Sequence, residues 1–180
     1  MLLFAGTNSE NVMDTEQLRA LQAPLKQRYR EQPEAALVTL SASGTLDTTA
    51  ISCKVDTGRA LVHAGLHPAT GGTGLEACSG DMLLEALVAC AGVTLRAVAT
   101  ALDVPIRAGT LRAEGDLDFR GTLGVAKDAP VGFRDIRLTI DLDTNASAEQ
   151  LDRLLSLTER YCVVLQTLRS PPTVHLARRP

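Results

Sequence analysis

Aromatic side chains are scarce in this 180-residue chain, at 3% of residues, and tryptophan is absent. The core must therefore be built from Leu, Val, Ile and Ala, which the 45% hydrophobic content supplies. A single-stranded nucleic-acid surface needs aromatic platforms on a clustered basic face. The formal charge is −3, and the densest basic stretch, KQRYR at 26–30, sits beside glutamates. No nucleic-acid partner is expected. Long apolar runs are also lacking. The longest, 86–95, lies between Glu85 and Arg96 and falls short of the roughly 18 residues of a membrane span. The first residues, MLLFAGTNSEN, have no basic start and only a brief apolar patch, unlike a signal peptide. The expected setting is cytoplasmic and reducing, with no membrane partner. There, paired cysteines serve catalysis, redox sensing or metal binding more often than structural stapling.

What is present reads as one domain with a helical start. DTEQLRALQAPLKQRYREQP (14–33) has helical composition, Asp14 as a fair N-cap, and Pro24 to split or kink it. Residues 35–65 alternate Val, Leu and Thr with small polar residues, and SASG and DTG punctuate them as tight turns. The pattern predicts a three-stranded meander. The glycine-rich 67–77 is a loop. A long helix follows, with Ser79 as its cap and Asp81 in its first turn, stopping before Pro105. Strands are expected over 107–119 and 133–143, joined by a flexible loop. Ser147 caps a helix that breaks or hinges at Cys162, and 171–177 forms a closing strand. Runs of strands followed by helices indicate an α+β fold with a mostly antiparallel sheet. The long helix is apolar nearly all round from Ala86 to Leu95, so it is expected to be buried on every side, a second subunit supplying part of the cover.

Four cysteines stand in this frame. Cys78 and Cys90 would be separated by roughly 18 Å of helical rise, far beyond the about 7 Å that a disulfide tolerates between Cα atoms. Cys53 alternates with Ile51 and Val55 and reads as core filler. Cys90 is mid-helix and Cys162 is at a helix break. Two cysteines on separate buried helices could face each other, but the residues alone leave the pairing open.

The pattern D-M-L-L-E-A-L-V-A-C-A-G-V-T-L (81–95) resembles the signature helix of the OsmC/Ohr family, the osmotically inducible and organic hydroperoxide resistance proteins. RYCVVLQTL resembles the family's second cysteine segment, and GFRDIRLTIDLD its penultimate long strand. The likeness covers 36–177, which divides the chain into a helical extension (1–34) and an OsmC-like domain (35–180). It implies an intertwined homodimer of two six-stranded sheets wrapped around long central helices. It also implies a thiol peroxidase without a cofactor: Cys90 attacks the peroxide O–O bond, and Cys162 resolves the sulfenic acid as a disulfide. The implied reductant is a dithiol of the lipoyl type. An organic hydroperoxide is the expected substrate, since an aromatic-poor Leu/Val/Ala cavity solvates a hydrocarbon tail better than it does hydrogen peroxide.

A thiolate in apolar surroundings needs a cation or hydrogen-bond donors. Family members use an arginine held by a helix-start carboxylate, which Asp81 matches here. Asp81 stands roughly 13 Å along the helix axis from Cys90, so the resemblance assigns it to the neighbouring subunit's cysteine. The family's arginine lies in the first hairpin turn, read here as SASG, which has none. Arg59, Arg28 and Arg30 are the replacements to consider. Cys162 is followed by Val163 where the family usually has proline. His63 and His67 with Cys53 or Cys78 could be drawn as a zinc site, but no C-x-x-C accompanies them, so no metal is expected. Cys78, beside the helix start, reads as a packing residue, and ATGGTG lacks the G-K-[ST] of a phosphate loop. The competing reading is a non-enzymatic dimer of the same fold that binds a small apolar ligand or senses oxidative stress.

Overall fold

The computed structural model describes residues 15–46, 53–55, 64–75 and 77–178. Helix α1 (Thr15–Glu31) leads through a 3-10 turn at Pro33–Ala36 into strand β1 (Leu37–Leu46). Strand β2 (Cys53–Val55) and a 3-10 turn at Pro68–Thr70 precede the long helix α2 (Ser79–Ala101). Strand β3 (Ala108–Asp118), the short helix α3 (Phe119–Thr122) and strand β4 (Asp135–Asp143) follow. Helices α4 (Ala148–Tyr161) and α5 (Val163–Arg169) complete the order. The four strands form one sheet in the order β2-β1-β3-β4, antiparallel at every pairing. The α+β, mostly antiparallel expectation therefore holds.

The sheet is positioned by alternation. Along β3, Gly109, Leu111, Ala113, Gly115 and Leu117 turn inward, while Thr110 and Arg112 are exposed. On β4, Ile136, Leu138, Ile140 and Leu142 make a half-buried row on one face. Helix α2 lies against β1 and β3 and is crossed by α4 and α5. Leu84, Leu87, Val88, Ala91, Leu95 and Ala99 of α2 join Leu111, Ala113 and Leu154 in the core. On the outer face, Arg137 Nη1 donates to both Asp116 and Asp135 at 2.7 Å, tying β3 to β4. The Thr39 hydroxyl also donates to Asp116, at 2.7 Å.

Several local expectations are corrected. Pro24 neither splits nor ends α1, which runs on as one helix; Tyr29 is buried and its hydroxyl donates to the Ala69 carbonyl at 2.6 Å, so tertiary contact outweighs the lost helical hydrogen bond. SASG is not a turn but the middle of β1, where Ser41 pairs with Glu114 and Gly44 pairs with both Leu111 and Val55. Pairing with β3 fixes that stretch in extended form. The connection from β1 to β2 is residues 47–52, outside the described residues, as is most of the expected third meander strand, with 56–63. Ser79 is the first helical residue of α2, and Cys78 holds the N-cap position without a side-chain cap bond. The 119–132 connection begins with α3, capped by Asp118, which accepts from the Arg120 N–H at 3.1 Å. The six strands implied per sheet are four among the described residues. The expected closing strand over 171–177 joins no ladder among the described residues.

The burial of α2 is also one-sided within the single chain. Met82, Leu83 and Val93 remain exposed. Its apolarity is greater than the charge-bounded run suggested. An 18-residue window of α2 has a mean hydropathy of 1.8, so by length and composition it could cross a membrane. Here it lies against the sheet.

Candidate functional site

Cys162 is the single non-helical residue between α4 and α5, with φ −72° and ψ 106°. Its N–H donates to the Thr158 carbonyl at 2.9 Å, and its own carbonyl accepts from Gln166 at 2.9 Å. One helix thus ends and the next begins on the same residue. The upstream helix is well started: Ser147 and Gln150 form a reciprocal capping box. Both helices cross α2, so the break turns the Cys162 side chain inward, where it is fully buried.

Cys90 lies halfway along α2 and is half-buried. Helical spacing puts it in a row with Leu83, Leu87 and Val93, at the seam between the buried and exposed sides of α2. Its sulfur lies close enough to Cys162 to perturb that thiol. Burial and, to a lesser degree, the adjacent Cys90 sulfur push the Cys162 thiol up to about 11, against backbone N–H groups of Leu165 and Val164 that act in the opposite direction. Cys162 therefore keeps its proton at neutral pH. The structure thus brings together the two cysteines whose pairing the residues alone left open.

An open groove of about 830 Å³ lies between α2, β4, α4 and α5, lined by chain neighbours of both cysteines and by neither cysteine itself. Its walls include Leu83 and Leu87 of α2, the Ile136–Leu138–Ile140 row of β4, Leu155 and Thr158 of α4, and Leu165 and Leu168 of α5. Leu87 is one turn before Cys90, while Thr158 and Leu165 flank Cys162. Arg134, Asp135, Glu159 and Arg169 add charge to an otherwise apolar lining, and Arg169 is paired with Glu159. Phe133 and Leu83 separate this groove from a second cavity of about 390 Å³ near the start of α2. Phe133 fits there because position 115 is glycine. A Cβ on Gly115 would come within 2.5 Å of the ring.

Asp81 belongs to that second region. It is half-buried, burial raises its carboxyl above the ordinary range, and His67 partly offsets this. His67 in turn is lowered by burial and partly restored by Asp81. The His67 ring stacks on Phe119 with centroids 4.9 Å apart, and its Nδ1 accepts from the Ala69 N–H at 3.0 Å. Within one chain, the charge partner of Asp81 is thus His67. The residues had suggested no such role for it; the visible signal was His67-Pro68, a cap followed by a turn-starting proline.

Arg28 and Arg30 are exposed on the last turn of α1, which packs on the Pro68–Thr70 turn and α3. Arg59 and His63 lie outside the described residues. So does the side chain of Cys53, although its backbone pairs with Leu46 in β2. Cys78 is half-buried and borders the smaller cavity with His67. Among the described residues, no group of three His, Cys, Asp or Glu side chains could hold a metal ion.

The sequence matches the family model described as OsmC-like protein over residues 72–177, more than half of the chain. The chain belongs to the OsmC-like family. Among solved structures it is similar to an OsmC-like hydroperoxide resistance protein from Jannaschia sp. CCS1, with a TM-score of 0.57 and 16% identity, over 77% of this chain and 91% of that one. It is also similar to an OsmC-like protein from Mycoplasma pneumoniae, with a TM-score of 0.52 and 16% identity, over 75% and 86% of the two chains. At such identities these likenesses show the fold. No curated protein sequence matches the chain. The OsmC-like family, whose members include hydroperoxide resistance proteins, thus supplies the fold in which the two cysteines sit.

Proposed function

We propose that this OsmC-like protein is a dimeric, cytoplasmic thiol peroxidase that reduces organic hydroperoxides. The observation that carries the reading is the proximity of Cys90 to Cys162, with an apolar groove lined by residues one turn from each. In this reading Cys90, the half-buried one of the two, acts as the nucleophile. Its thiolate attacks the distal peroxide oxygen, the O–O bond breaks, and the alkoxide leaves and takes a proton to become the alcohol. Cys90 is oxidised to the sulfenic acid. The Cys162 sulfur then attacks Cys90, releasing water and forming the disulfide. An external dithiol, of the lipoyl type, reduces that disulfide and is itself oxidised. The groove walls suit the hydrocarbon part of the peroxide. Asp81, too far along its own helix to serve Cys90 in the same chain, acts at the partner's cysteine.

The test is single-turnover consumption of an organic hydroperoxide by three proteins. The native protein turns over with dithiol. Cys90→Ser consumes none, and Cys162→Ser reacts once and accumulates sulfenic or sulfinic acid. Full turnover by Cys90→Ser contradicts the assignment. The apolar groove also favours a second reading, a non-enzymatic binder of small apolar ligands; unchanged free thiols under excess peroxide would select it.

A further inference from the structure

The groove and the second cavity meet at a single aromatic ring. Leu83, Gly132 and Phe133 border both spaces, while Leu66, Leu117, Phe119 and Val131 line only the smaller one. Both linings are mainly apolar, so hydrocarbon crossing from one to the other would stay out of water. Phe133 stands in the way.

The backbone that carries the ring is tied on both sides. After it, the Arg134 N–H donates to the Asp116 carbonyl at 2.8 Å, which holds the chain against β3. Before it, Ala129 and Pro130 lie so close to α3 that a Cβ on Gly121 would come within 2.3 Å of the Pro130 carbonyl oxygen. Between these ties the ring takes the space that a side chain at 115 would need. A Cβ on Gly115 would come within 2.5 Å of the ring's Cε1 and 2.6 Å of its Cδ1. Gly115 is itself held mid-sheet, paired with Leu40 on one side and Ile136 on the other, so the floor under the ring is fixed as well.

We propose that Phe133 sets the chain length of the hydroperoxide that the groove accepts, as a fixed stop between the groove and the second cavity. The inference rests on the preceding reading of the groove as the hydroperoxide site, and it adds the substrate class: straight-chain alkyl hydroperoxides of medium length. The peroxide end lies toward the cysteines, near Leu87 and Leu165, and the tail runs along α2 toward the helix start. From Cys90 back to Leu83 is roughly 10 Å of helical rise, and there the tail meets the ring. A longer chain turns out into the open mouth of the groove, where its added methylenes stay wet and contribute nothing to binding. Phe133 is thus a specificity-determining residue that takes no part in breaking the O–O bond.

The experiment measures calorimetric binding of straight-chain alkan-1-ols, from butanol to dodecanol, to the reduced native protein and to Phe133→Ala. These alcohols are the products of reduction and hold no O–O bond, so the readout is independent of turnover. In the native protein, affinity should rise by about fourfold per methylene up to one length and then level off. In Phe133→Ala the two spaces join, and the rise should continue past that length. The longest chain should then bind about tenfold or more tighter than to native protein, the scale of two further buried methylenes. Phe133→Leu should fall between the two. The ring is only half-buried, so both variants should fold, which circular dichroism verifies. A native series that never levels off, the same levelling length in Phe133→Ala, or no alkanol binding at all would overturn the proposal. A shifted length in binding with no peroxide consumed by the native protein would uphold the stop and overturn the peroxidase reading alone.

Discussion

The two sides of α2 have similar composition and opposite surroundings. Leu84, Leu87, Val88, Ala91, Leu95 and Ala99 are buried by the sheet and by α4 and α5. Met82, Leu83, Ala86 and Val93 are exposed in the single chain, Val93 to 40%. A surface helix would have become polar on that side. The outer row has kept its apolar character, and Cys90 lies on the seam between the two. The contrast separates what one chain buries from what the proposed dimer would cover, and it puts the proposed peroxidatic cysteine where the two meet.

The comparison can be sharpened by substitution. Leu95→Ala on the buried side should cost about 2–5 kcal/mol of stability, because it leaves a cavity that the surrounding sheet cannot fill. Chemical denaturation should show the loss at every protein concentration. Val93→Asp on the exposed side should act through assembly, raising the dimer dissociation constant while the chain's secondary structure persists. An equal loss of chain stability from both variants would break the distinction.

A smaller effect concerns the smaller cavity. Gly115→Ala should displace the Phe133 ring that divides it from the groove, and should alter selectivity among hydroperoxides of different chain length more than it alters folding. A relative-rate series across alkyl lengths reads this, with an unchanged series as the contrary result. Asp81→Ala should slow peroxide reduction and leave the dimer intact, as kinetics and sedimentation of the same sample would read.

The smallest effects are those of pH. The buried Cys162 thiol is raised from 9.0 to about 11. Unfolded chain therefore loses this proton before folded chain does, and stability falls as pH rises through that interval. Cys162→Ala should flatten the decline in alkaline denaturation. Asp116 is held at about 2 by hydrogen bonds from Arg137 and Thr39. Its contribution is present above the ordinary 3.8 and is lost as pH falls toward 2. Being on the sheet surface, it should shift acid unfolding only slightly.

Features decided by neighbouring residues were legible in the sequence. Ser147 and Gln150 announce the start of α4, the alternation of 107–119 and 133–143 marks β3 and β4, and the change from TER to apolar residues locates the break at Cys162. Features decided by distant chain were not. SASG is turn-like until β3 pairs with it across its full length. Pro24 is tolerated because Tyr29 and Gln22 anchor α1 to the 69–70 backbone. The closing segment has the alternation of a strand but pairs with no strand among the described residues. For the site, each cysteine could be placed on its element. Their contact depends on how α4 and α5 cross α2, and the proximity of His67 to Asp81 depends on how the 68–70 turn folds back to the helix start.

The central claim is that Cys90 and Cys162 form one redox unit. Peptide mapping by mass spectrometry after one equivalent of an organic hydroperoxide tests it most directly. The account predicts a Cys90–Cys162 disulfide within each chain, with Cys53 and Cys78 still free thiols. A Cys78–Cys162 link, or four unmodified thiols under excess peroxide, would contradict it.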